Sequence, residues 1–375
     1  MILTEQQQQI IEMVHQFAKE KIHPNSAEWD SKHYFPKEII KEMGQLGLMG
    51  MLIPEVWGGS DTGYVAYASA IEAIASADGA CSTIMSVHNS VVCMPILKYG
   101  NDQQKHQFLI PLAQGRMLGA FALTEPQAGT DASNLKARAI KDGDDYIISG
   151  SKQFITSAQH ADIAIVFAVT DPDQGKKGIS AFIVPTSVAG YSVIRLEDKM
   201  GQHASDTGQI QLDQVRLSKE YLLGEEGEGY KIALDNLAGG RIGIASQSVG
   251  MAQAALDAAV QYAKERIAFG KAIIEHQAVS FRLADMATQV AVARQMVLHA
   301  ASLRELGQSS LVEASMAKLF ASEMAERVCS GAIQTLGGYG YLKDFPLEQI
   351  YRDARITQIY EGTSDVQRMV IARSL

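Results

Sequence analysis

The spacing of apolar residues changes twice along this chain, and that change constrains its fold more than any other feature. Residues 10–22 place apolar side chains at helical spacing, directly after a Thr4-Glu5-Gln6-Gln7 stretch that has the form of a capping box. From about residue 120 the pattern alternates instead, as at positions 163, 165, 167 and 169, which is typical of a strand with one buried face. After Gly229 the helical spacing returns. This order predicts a helical segment, a β segment and a second helical segment.

Helix-breaking and turn residues divide the first two segments into elements. Pro36 can begin a second helix that Gly44 or Gly47 ends, and two further helical patterns run over about 64–78 and 101–114. Turn residues such as Asp142-Gly143 separate a series of β-like runs, which cover residues 145–149, 163–169, 179–184, 191–196 and 208–217. Short strands with no helices between them predict a compact sandwich or barrel rather than a Rossmann sheet.

The third segment carries the strongest helical pattern. Its apolar residues step by threes and fours along one stripe, formed by Leu283, Met286, Val290, Ala293, Val297 and Ala300. Ser310 and Glu313 predict a capping box at the start of the helix that follows. We therefore predict a multidomain α+β protein with an N-terminal all-α domain (1–117), a middle β-barrel or sandwich domain (118–225) and a C-terminal four-helix bundle (226–375).

Composition and charge argue against several classes of protein. The chain has 33 Lys and Arg against 42 Asp and Glu, a net charge of −9, so it is not expected to bind nucleic acid. No apolar run approaches the roughly 18 residues of a membrane-spanning helix, and Met1 begins no basic, cleavable leader. The three cysteines, Cys81, Cys93 and Cys329, form no CxxC pair, which indicates a reducing compartment without disulfides. The expected location is the cytoplasm of a bacterium, although a mature organellar chain would look similar.

Several common catalytic signatures are absent from the sequence. It contains no GxxxxGK[ST], no HExxH and no GxSxG, so the P-loop, zincin and serine-hydrolase interpretations lack their key elements. The histidines show no metal-ligand spacing, and no metal site is expected. Gly224, Gly227 and Gly229 precede a helix, but their order is GxxGxG and no βαβ pattern surrounds them. They are therefore interpreted as a loop rather than a dinucleotide fingerprint.

Two other stretches could carry chemistry. Residues 122–131 (ALTEPQAGTD) could present N–H and O–H groups to a polar cofactor, or could form an ordinary surface turn. In residues 334–368, the pair Gly337-Gly338 could let the backbone approach a pyrophosphate. Glu361 lies at a predicted break between two helices, where a glutamate is ordinarily a solvated charge. Taken singly, neither stretch assigns a function.

Taken together, these stretches resemble the acyl-CoA dehydrogenase family, FAD enzymes that introduce an α,β double bond into acyl-CoA thioesters. The resemblance covers essentially the whole chain. It rests on five segments: IPEVWGG at 53–59, ALTEPQAGTD at 122–131, GRIGIASQ at 240–247, RIAFG at 266–270 and IYEGTSDVQR at 359–368. The short-chain and short/branched-chain members look closest. The two long motifs are specific as a pair, because chance would have to place both at the spacing of the family.

The resemblance implies that Glu361 is the catalytic base. Its carboxylate would remove the α-proton of the thioester while a β-hydride passes to N5 of the flavin. The family stabilises the resulting enolate with the backbone N–H of the base and a ribityl hydroxyl of FAD, and the pKa of such a base is expected to be raised. Isovaleryl- and long-chain relatives carry the base just before the arginine that matches Arg241. That position is Gly240 here, which is consistent with Glu361 as the base.

The resemblance also implies the ligand-binding residues. Those expected to bind FAD are Phe121, Leu123, Thr124, Gly129, Thr130, Phe154, Ile155, Thr156, Arg266, Phe269, Gln277, Gln334, Thr335, Leu336, Gly337, Gly338, Thr363, Ser364 and Asp365. Of these, Gln334–Gly338 would approach the pyrophosphate of FAD in a neighbouring subunit. The residues expected to contact substrate or organise its pocket are Thr130, Arg241, Tyr360 and Gly362.

The sequence departs from the family's pattern at several positions. Phe154 stands where tryptophan is usual beside the flavin, and His203 stands where many members have arginine. Ala238 replaces an Asp or Asn that often contacts CoA, Gln349 replaces a common basic residue, and Asn134 a small one. These changes are expected to affect the binding of CoA rather than the reaction. A glutaryl-specific member would carry an arginine at the position of Ser82, so a dicarboxyl substrate is not expected.

The implied function is dehydrogenation of short acyl-CoA thioesters, with electrons passing to an electron-transfer flavoprotein. Straight acyl groups of about four to six carbons are the first expectation, and isobutyryl or 2-methylbutyryl groups the second, because each methylene discriminates weakly. An oxygen-using acyl-CoA oxidase and a non-enzymatic acyl-CoA sensor are the other hypotheses. The oxidase is disfavoured because typical eukaryotic oxidases are much longer, and the sensor because Glu361, Arg266 and Gly337-Gly338 are all present. If the FAD site is shared between subunits, a monomer would bind flavin poorly, and the resemblance implies a homotetramer of paired dimers.

Overall fold

The computed structural model describes residues 3–375, and the first third of the chain is helical. The helices are α1 (Glu5–Phe17), α2 (His23–Lys32), α3 (Lys37–Gln45), α4 (Gly63–Ala77), α5 (Gly79–Val87), α6 (Met94–Tyr99), α7 (Asp102–Gln104) and α8 (Ile110–Ala113). The capping box predicted at the start of α1 is confirmed. The Thr4 hydroxyl accepts the N–H of Gln7 at 3.2 Å, and the Gln7 side chain accepts the N–H of Thr4 at 3.0 Å.

The middle of the chain forms a single sheet. Its strands are β1 (Gly119–Ala122), β2 (Arg138–Asp142), β3 (Asp145–Thr156), β4 (Ile163–Val169), β5 (Ile179–Pro185), β6 (Tyr191–Leu196), β7 (Thr207–Ser218) and β8 (Leu222–Leu223). They are ordered β6-β7-β3-β2-β4-β5-β8, and β1 pairs with β4. β4 runs parallel to β1 and β2, and the other pairings in the sheet are antiparallel. Only two short 3-10 stretches, Pro172–Gly178 and Lys219–Tyr221, interrupt the strands before β8, and the sequence likewise predicted strands with no helices between them.

β4 differs from its prediction, because it is buried on both faces rather than on one. Ile163, Ile165 and Phe167 pack into the apolar core formed with the N-terminal helices. The alternate residues, Ala164 and Val166 among them, pack into a second core within the sheet. Since both sets are apolar, the alternation of large with small side chains marks two different cores rather than a core and a solvent face.

The C-terminal third is a helical bundle, as predicted. It comprises α9 (Gly229–Glu265), a short hairpin of β9 (Ile267–Ala268) and β10 (Lys271–Ala272), α10 (Gln277–Glu305), α11 (Leu311–Leu336), α12 (Leu347–Arg355) and α13 (Ser364–Ala372). The predicted apolar stripe of α10 is buried from Leu283 to Ala300. Val65 and Ala68 of α4 pack into the same core, so the bundle continues into the N-terminal helices.

The capping box predicted at the start of α11 is wrong. Ser310 is the N-cap residue, but its side chain caps no backbone N–H, and its Oγ is buried without a hydrogen-bond partner among the described residues. The cause is the backbone, since Ser310 has ψ of 14° whereas Thr4, which does cap its helix, has the extended ψ of 161°.

The expectation that no apolar run approaches the length of a membrane span has one exception, which qualifies by length and mean composition alone. Among the described residues one such segment occurs, Gly79–Tyr99, with 21 residues and a mean hydropathy of 1.4 over its most apolar window. Within the fold, 89% of that window is buried. The segment is built from α5, α6 and the π-helical turn between them, and it passes through the first core.

A buried ion pair fixes the loop that follows β1. The Nζ of Lys152 lies 2.8 Å from Oε1 of Glu125, and 0% and 2% of the two side chains are exposed. Glu125 also accepts the backbone N–H groups of Lys136 at 2.6 Å and Ala137 at 3.1 Å. Burial alone would raise the pKa of Glu125, but the charge of Lys152 and these hydrogen bonds outweigh it and hold the pKa below its usual value.

We expect Lys152→Met to destabilise the protein by about 3–5 kcal/mol, because it leaves a buried carboxylate without its cation. Thermal unfolding at pH 7 measures this loss. The matched control is Lys32→Met, which removes an exposed i,i+4 pair with Glu28 at 2.6 Å and should leave the unfolding temperature almost unchanged. Equal decreases of the unfolding temperature in the two variants would show that the buried Lys152 pair contributes no more to stability than the exposed Lys32 pair.

Candidate active site

Glu361 lies in a strained turn just before α13. It has φ of +54°, and Gly362 follows with φ of +90°, so two consecutive residues adopt the left-handed conformation. Side-chain-bearing residues rarely adopt the φ of Gly362, and a Cβ atom there would lie 2.8 Å from Nε2 of Gln367, so both observations favour glycine at this position. A glutamate in the left-handed region persists only where its surroundings impose it, and such residues concentrate at functional sites.

The turn directs the Glu361 carboxylate against α9. A Cβ atom on Gly240 would lie 2.5 Å from Oε2 of Glu361, so the absence of a side chain at 240 provides the space that the carboxylate occupies. Oε2 is buried and has no hydrogen-bond partner among residues 3–375. A buried and unpaired carboxylate oxygen is costly, and it is the arrangement required for a group that accepts a proton from a ligand.

Burial and two cations set the ionisation of this carboxylate. Burial raises the pKa of Glu361 to about 7, and the nearby charges of Arg241 and Lys318 oppose that rise. Arg241 is itself buried, donates from Nη1 to Ser315 Oγ at 3.2 Å, and has an unpaired Nε. The site therefore holds a carboxyl group that changes its charge near neutral pH.

A buried polar cluster next to Glu361 joins all three segments of the chain. Tyr360 donates its hydroxyl to Gln247 of α9, and Gln247 donates to Thr83 of α5 at 2.6 Å. Thr83 donates to Gln202, in the loop before β7, at 2.6 Å. These partners lie up to 277 residues apart in the sequence, so the position of the turn depends on the assembled fold.

The predicted flavin residues of the middle segment lie on β1, on β3 and in the loop after β1, and of these Leu123 and Ile155 are buried. The N–H of Gln153 donates to the carbonyl of Thr124 at 2.9 Å, which ties β3 to the end of β1. The pairing of β3 with β7 shifts register between Lys152 and Ile155, and at this irregularity Phe154 has φ of +58° with 63% of its surface exposed. Phe121, Leu123, Gly129, Thr130, Ile155 and Thr156 occupy the same two strands and the loop after β1. An exposed aromatic face on a fixed strand can stack against a planar ligand.

The predicted residues of the bundle line a different, open depression of about 510 Å³. Arg266, Gln334, Thr335, Leu336, Gly337 and Gly338 all contribute to its wall. Arg266 lies over the ring of Tyr339, with 5.8 Å between its guanidinium carbon and the ring centroid. Cβ atoms on Gly337 or Gly338 would meet nothing within 4 Å, so the backbone here is open to a ligand. Phe269 is 98% exposed on the neighbouring hairpin, and Gln277 begins α10.

The remaining predicted residues follow the Glu361 turn. The Thr363 hydroxyl caps α13 by accepting the N–H of Val366 at 3.3 Å, while Ser364 and Asp365 form the first turn of that helix. Two residues that depart from the family's pattern have polar partners. Nδ1 of His203 lies 2.8 Å from Oδ1 of Asp30, and Nε2 of Gln349 donates to Oγ of Ser26 at 3.0 Å. Ala238 and Ser82 are buried. The structure shows no cluster of His, Cys, Asp or Glu among the described residues that could hold a metal.

Sequence reasoning missed two buried residues that contact the turn, Lys318 and Gln367. Lys318 could have been noticed, because it interrupts the apolar stripe that Ala314, Ala317 and Ala321 form along α11. Nothing in the sequence indicated that Gln367 is buried, since a glutamine in the first turn of a helix is ordinarily exposed.

Comparison with known proteins accounts for the whole chain. Family models described as the acyl-CoA dehydrogenase N-terminal, middle and C-terminal domains match residues 4–116, 120–215 and 227–375. The mitochondrial short-chain specific acyl-CoA dehydrogenase of Bos taurus is 46% identical over 373 residues, covering 100% of this chain and 90% of that protein.

Solved structures are similar over the same length. Butyryl-CoA dehydrogenase from Megasphaera elsdenii matches with a TM-score of 0.98 and 44% identity, covering 100% of this chain and 99% of that chain. A chain from a structure described as the electron transferring flavoprotein of Acidaminococcus fermentans matches with a TM-score of 0.98 and 45% identity, covering 100% and 98%. With its helical, sheet and bundle segments each matched in order, this chain belongs to the acyl-CoA dehydrogenase family of oxidoreductases.

Proposed function

We propose that this protein is a short-chain acyl-CoA dehydrogenase that converts acyl-CoA thioesters of about four to six carbons to trans-2-enoyl-CoA. The observation that carries the proposal is the Glu361 carboxylate, buried, unpaired at Oε2 and placed against Gly240. In this role Glu361 accepts the α-proton, while its own backbone N–H donates to the thioester carbonyl and stabilises the enolate. Arg241, Tyr360, Gly362 and Thr130 are proposed to organise the substrate pocket.

Members of this family are FAD-dependent flavoproteins, and the residues of this chain fit that cofactor. The exposed ring of Phe154 suits the flavin, and Arg266 with the open backbone of Gly337 and Gly338 suits a diphosphate. We propose that the nineteen residues named above from Phe121 to Asp365 hold FAD, which when bound supplies the acceptor for the β-hydride. Phe154 keeps an aromatic face there but lacks the N–H of the usual tryptophan.

The same argument extends to assembly and partners. If the depression at Gln334–Gly338 binds the FAD of a neighbouring subunit, the working form is an oligomer, and we propose a homotetramer. We propose an electron-transfer flavoprotein as the electron acceptor, supported by the similarity to the Acidaminococcus fermentans chain.

The cytoplasm of a bacterium is the proposed location, supported by three buried cysteines with free thiols. We also propose the divisions at 117/118 and 225/226 as domain boundaries.

The decisive experiment mixes the purified protein anaerobically with acyl-CoA thioesters and follows the absorbance of oxidised flavin. Bleaching by butyryl-CoA but not by palmitoyl-CoA is the expected result. Bleaching mainly by isobutyryl- or 2-methylbutyryl-CoA would replace the straight-chain substrate with a branched one. Rapid reoxidation of the reduced protein by oxygen would favour an oxidase. A protein that stays colourless and inert after addition of FAD would contradict the enzyme assignment.

The pKa of Glu361 predicts how the rate depends on pH. The base must be ionised, and burial raises its pKa to about 7, so kcat/KM for butyryl-CoA should increase with pH through about 7 and level off above it. An ordinary exposed glutamate would already be ionised near pH 5 and would leave the profile flat from pH 6 to 8. Measuring kcat/KM over that range, with flavin content checked at each pH, separates the two results.

A further inference from the structure

Lys318 is fully buried and contacts the turn that carries Glu361. It lies on the buried stripe of α11 between Ala314 and Ala321, and none of its surface is exposed. Its Nζ donates to the carbonyl oxygen of Gly362 at 2.7 Å. A lysine without solvent is costly, so its burial on a face otherwise formed by small side chains such as Ala314, Ser315 and Ala321 requires a compensating role for this contact.

Gln367, on α13, is a second buried donor to the same turn. It is fully buried, and its Nε2 donates to the carbonyl of Gly362 at 2.8 Å and to that of Glu361 at 3.3 Å. Side chains from α11 and α13 therefore hold the carbonyls of both left-handed residues. This arrangement supplies the restraint that a left-handed glutamate needs from its surroundings.

Lys318 differs from the other charges around Glu361 because it is bonded to the turn itself. The titratable and charged groups that face Glu361 or Lys318 are Arg241 on α9, Glu323 on α11, Tyr67 on α4 and the adjacent Tyr360. Arg241 donates to Ser315, on α11, rather than to the turn. Tyr360 is held by the polar cluster described above. Burial lowers the pKa of Lys318 to about 7, although the charge of Glu361 opposes that change. Lys318 thus combines a structural contact with a positive charge that is present at and below neutral pH.

We propose that Lys318 is a positioning residue for proton abstraction. Together with Gln367 it holds the left-handed turn at Glu361 and Gly362, which directs the carboxylate toward Gly240 and orients the Glu361 N–H. Its positive charge favours the ionised form of the carboxylate. The kinetic part of this proposal rests on the proposed function, whereas the geometric part concerns the turn alone.

Three variants of the holoenzyme separate the two roles. Lys318→Met removes the donor and the charge at similar length, Lys318→Arg keeps a charge, and Gln367→Met removes a donor without changing charge. The first measurement is α-proton exchange of butyryl-CoA in D₂O as a function of pH, normalised to bound flavin. The second is a crystal structure of each variant, which requires no turnover.

Lys318→Met is expected to slow exchange at least about tenfold and to move the midpoint of its pH dependence upward by about one unit, because a cation near the base is lost. Gln367→Met should slow exchange with the midpoint unchanged, and Lys318→Arg should return the midpoint toward that of the wild type. The crystal structure of Lys318→Met should show residue 361 outside the left-handed region. If Lys318→Met does not fold, Lys318→Gln, which keeps a donor but no charge, should show the same upward midpoint.

A retained left-handed turn together with an unchanged pH midpoint in Lys318→Met would overturn the proposal. Equal loss of flavin and rate in Lys318→Met and Gln367→Met, with no change of midpoint in either, would also overturn it and leave Lys318 a purely structural residue. Failure of the proposed function is distinguishable, because the wild type itself would then catalyse no exchange. In that event the crystal structures alone decide whether Lys318 holds the turn.

Discussion

Replacing Glu361 by glutamine is expected to lower the rate of flavin reduction by butyryl-CoA at least about 10³-fold, because an amide cannot accept the α-proton. The substitution is nearly isosteric, so the turn should keep the left-handed φ of +54° and the protein should retain its flavin. Anaerobic stopped-flow absorbance of the oxidised flavin measures the rate directly. Proton exchange at the α-carbon should be lost in parallel.

The control for this substitution is Glu12→Gln, which changes the same chemical group on the exposed side of α1. It should leave the reduction rate unchanged. If Glu361→Gln kept more than about a tenth of the wild-type rate, corresponding to less than about 1.4 kcal/mol of barrier, another group would have to be the base. Loss of flavin from the variant would leave rates per bound flavin as the valid comparison.

A methyl group at position 240 is expected to lower the same rate at least about tenfold, because it displaces the carboxylate of Glu361. The Cβ atom of Gly240→Ala would lie 2.5 Å from Oε2 and 2.9 Å from the carboxyl carbon. The adjacent Gly239 provides a matched control on the same buried helix. Its Cβ atom would have no neighbour nearer than 3.6 Å, so Gly239→Ala should retain most of the activity.

The same geometry predicts that the base can be moved. Glu361→Gly should be inactive, and adding Gly240→Glu should restore part of the activity, because a carboxylate projecting from 240 enters the space that Glu361 vacates. Flavin reduction by butyryl-CoA and by a longer thioester compares the three proteins. A double variant no more active than Glu361→Gly would show that position 240 does not approach the reacting carbon. Equal losses in Gly239→Ala and Gly240→Ala would show a general sensitivity of α9.

The elements of the fold were largely predictable because each rests on local periodicity. The stripe of α10 and the capping box at Thr4 depend on residues three or four apart, and both are present as predicted. Predictions that needed the surroundings were less accurate. Ser310 is a residue type that often caps a helix, but with ψ of 14° its side chain does not accept a backbone N–H of α11. β4 alternates as predicted, but the face that the alternation assigned to solvent, which includes Ala164 and Val166, packs into the second core within the sheet.

The order of the three segments follows from residue patterns alone, and motifs of short range place Glu361 at a break between helices and a glycine at 240. The contact between Gly240 and Glu361, and the hydrogen bonds from Lys318 and Gln367 to the turn, arise only in the folded chain. The physical reason is that burial, charge and left-handed strain depend on neighbours far apart in the sequence. A pattern of residue types records which groups are available, whereas the pKa of Glu361 follows from how much solvent and which charges the fold leaves around it.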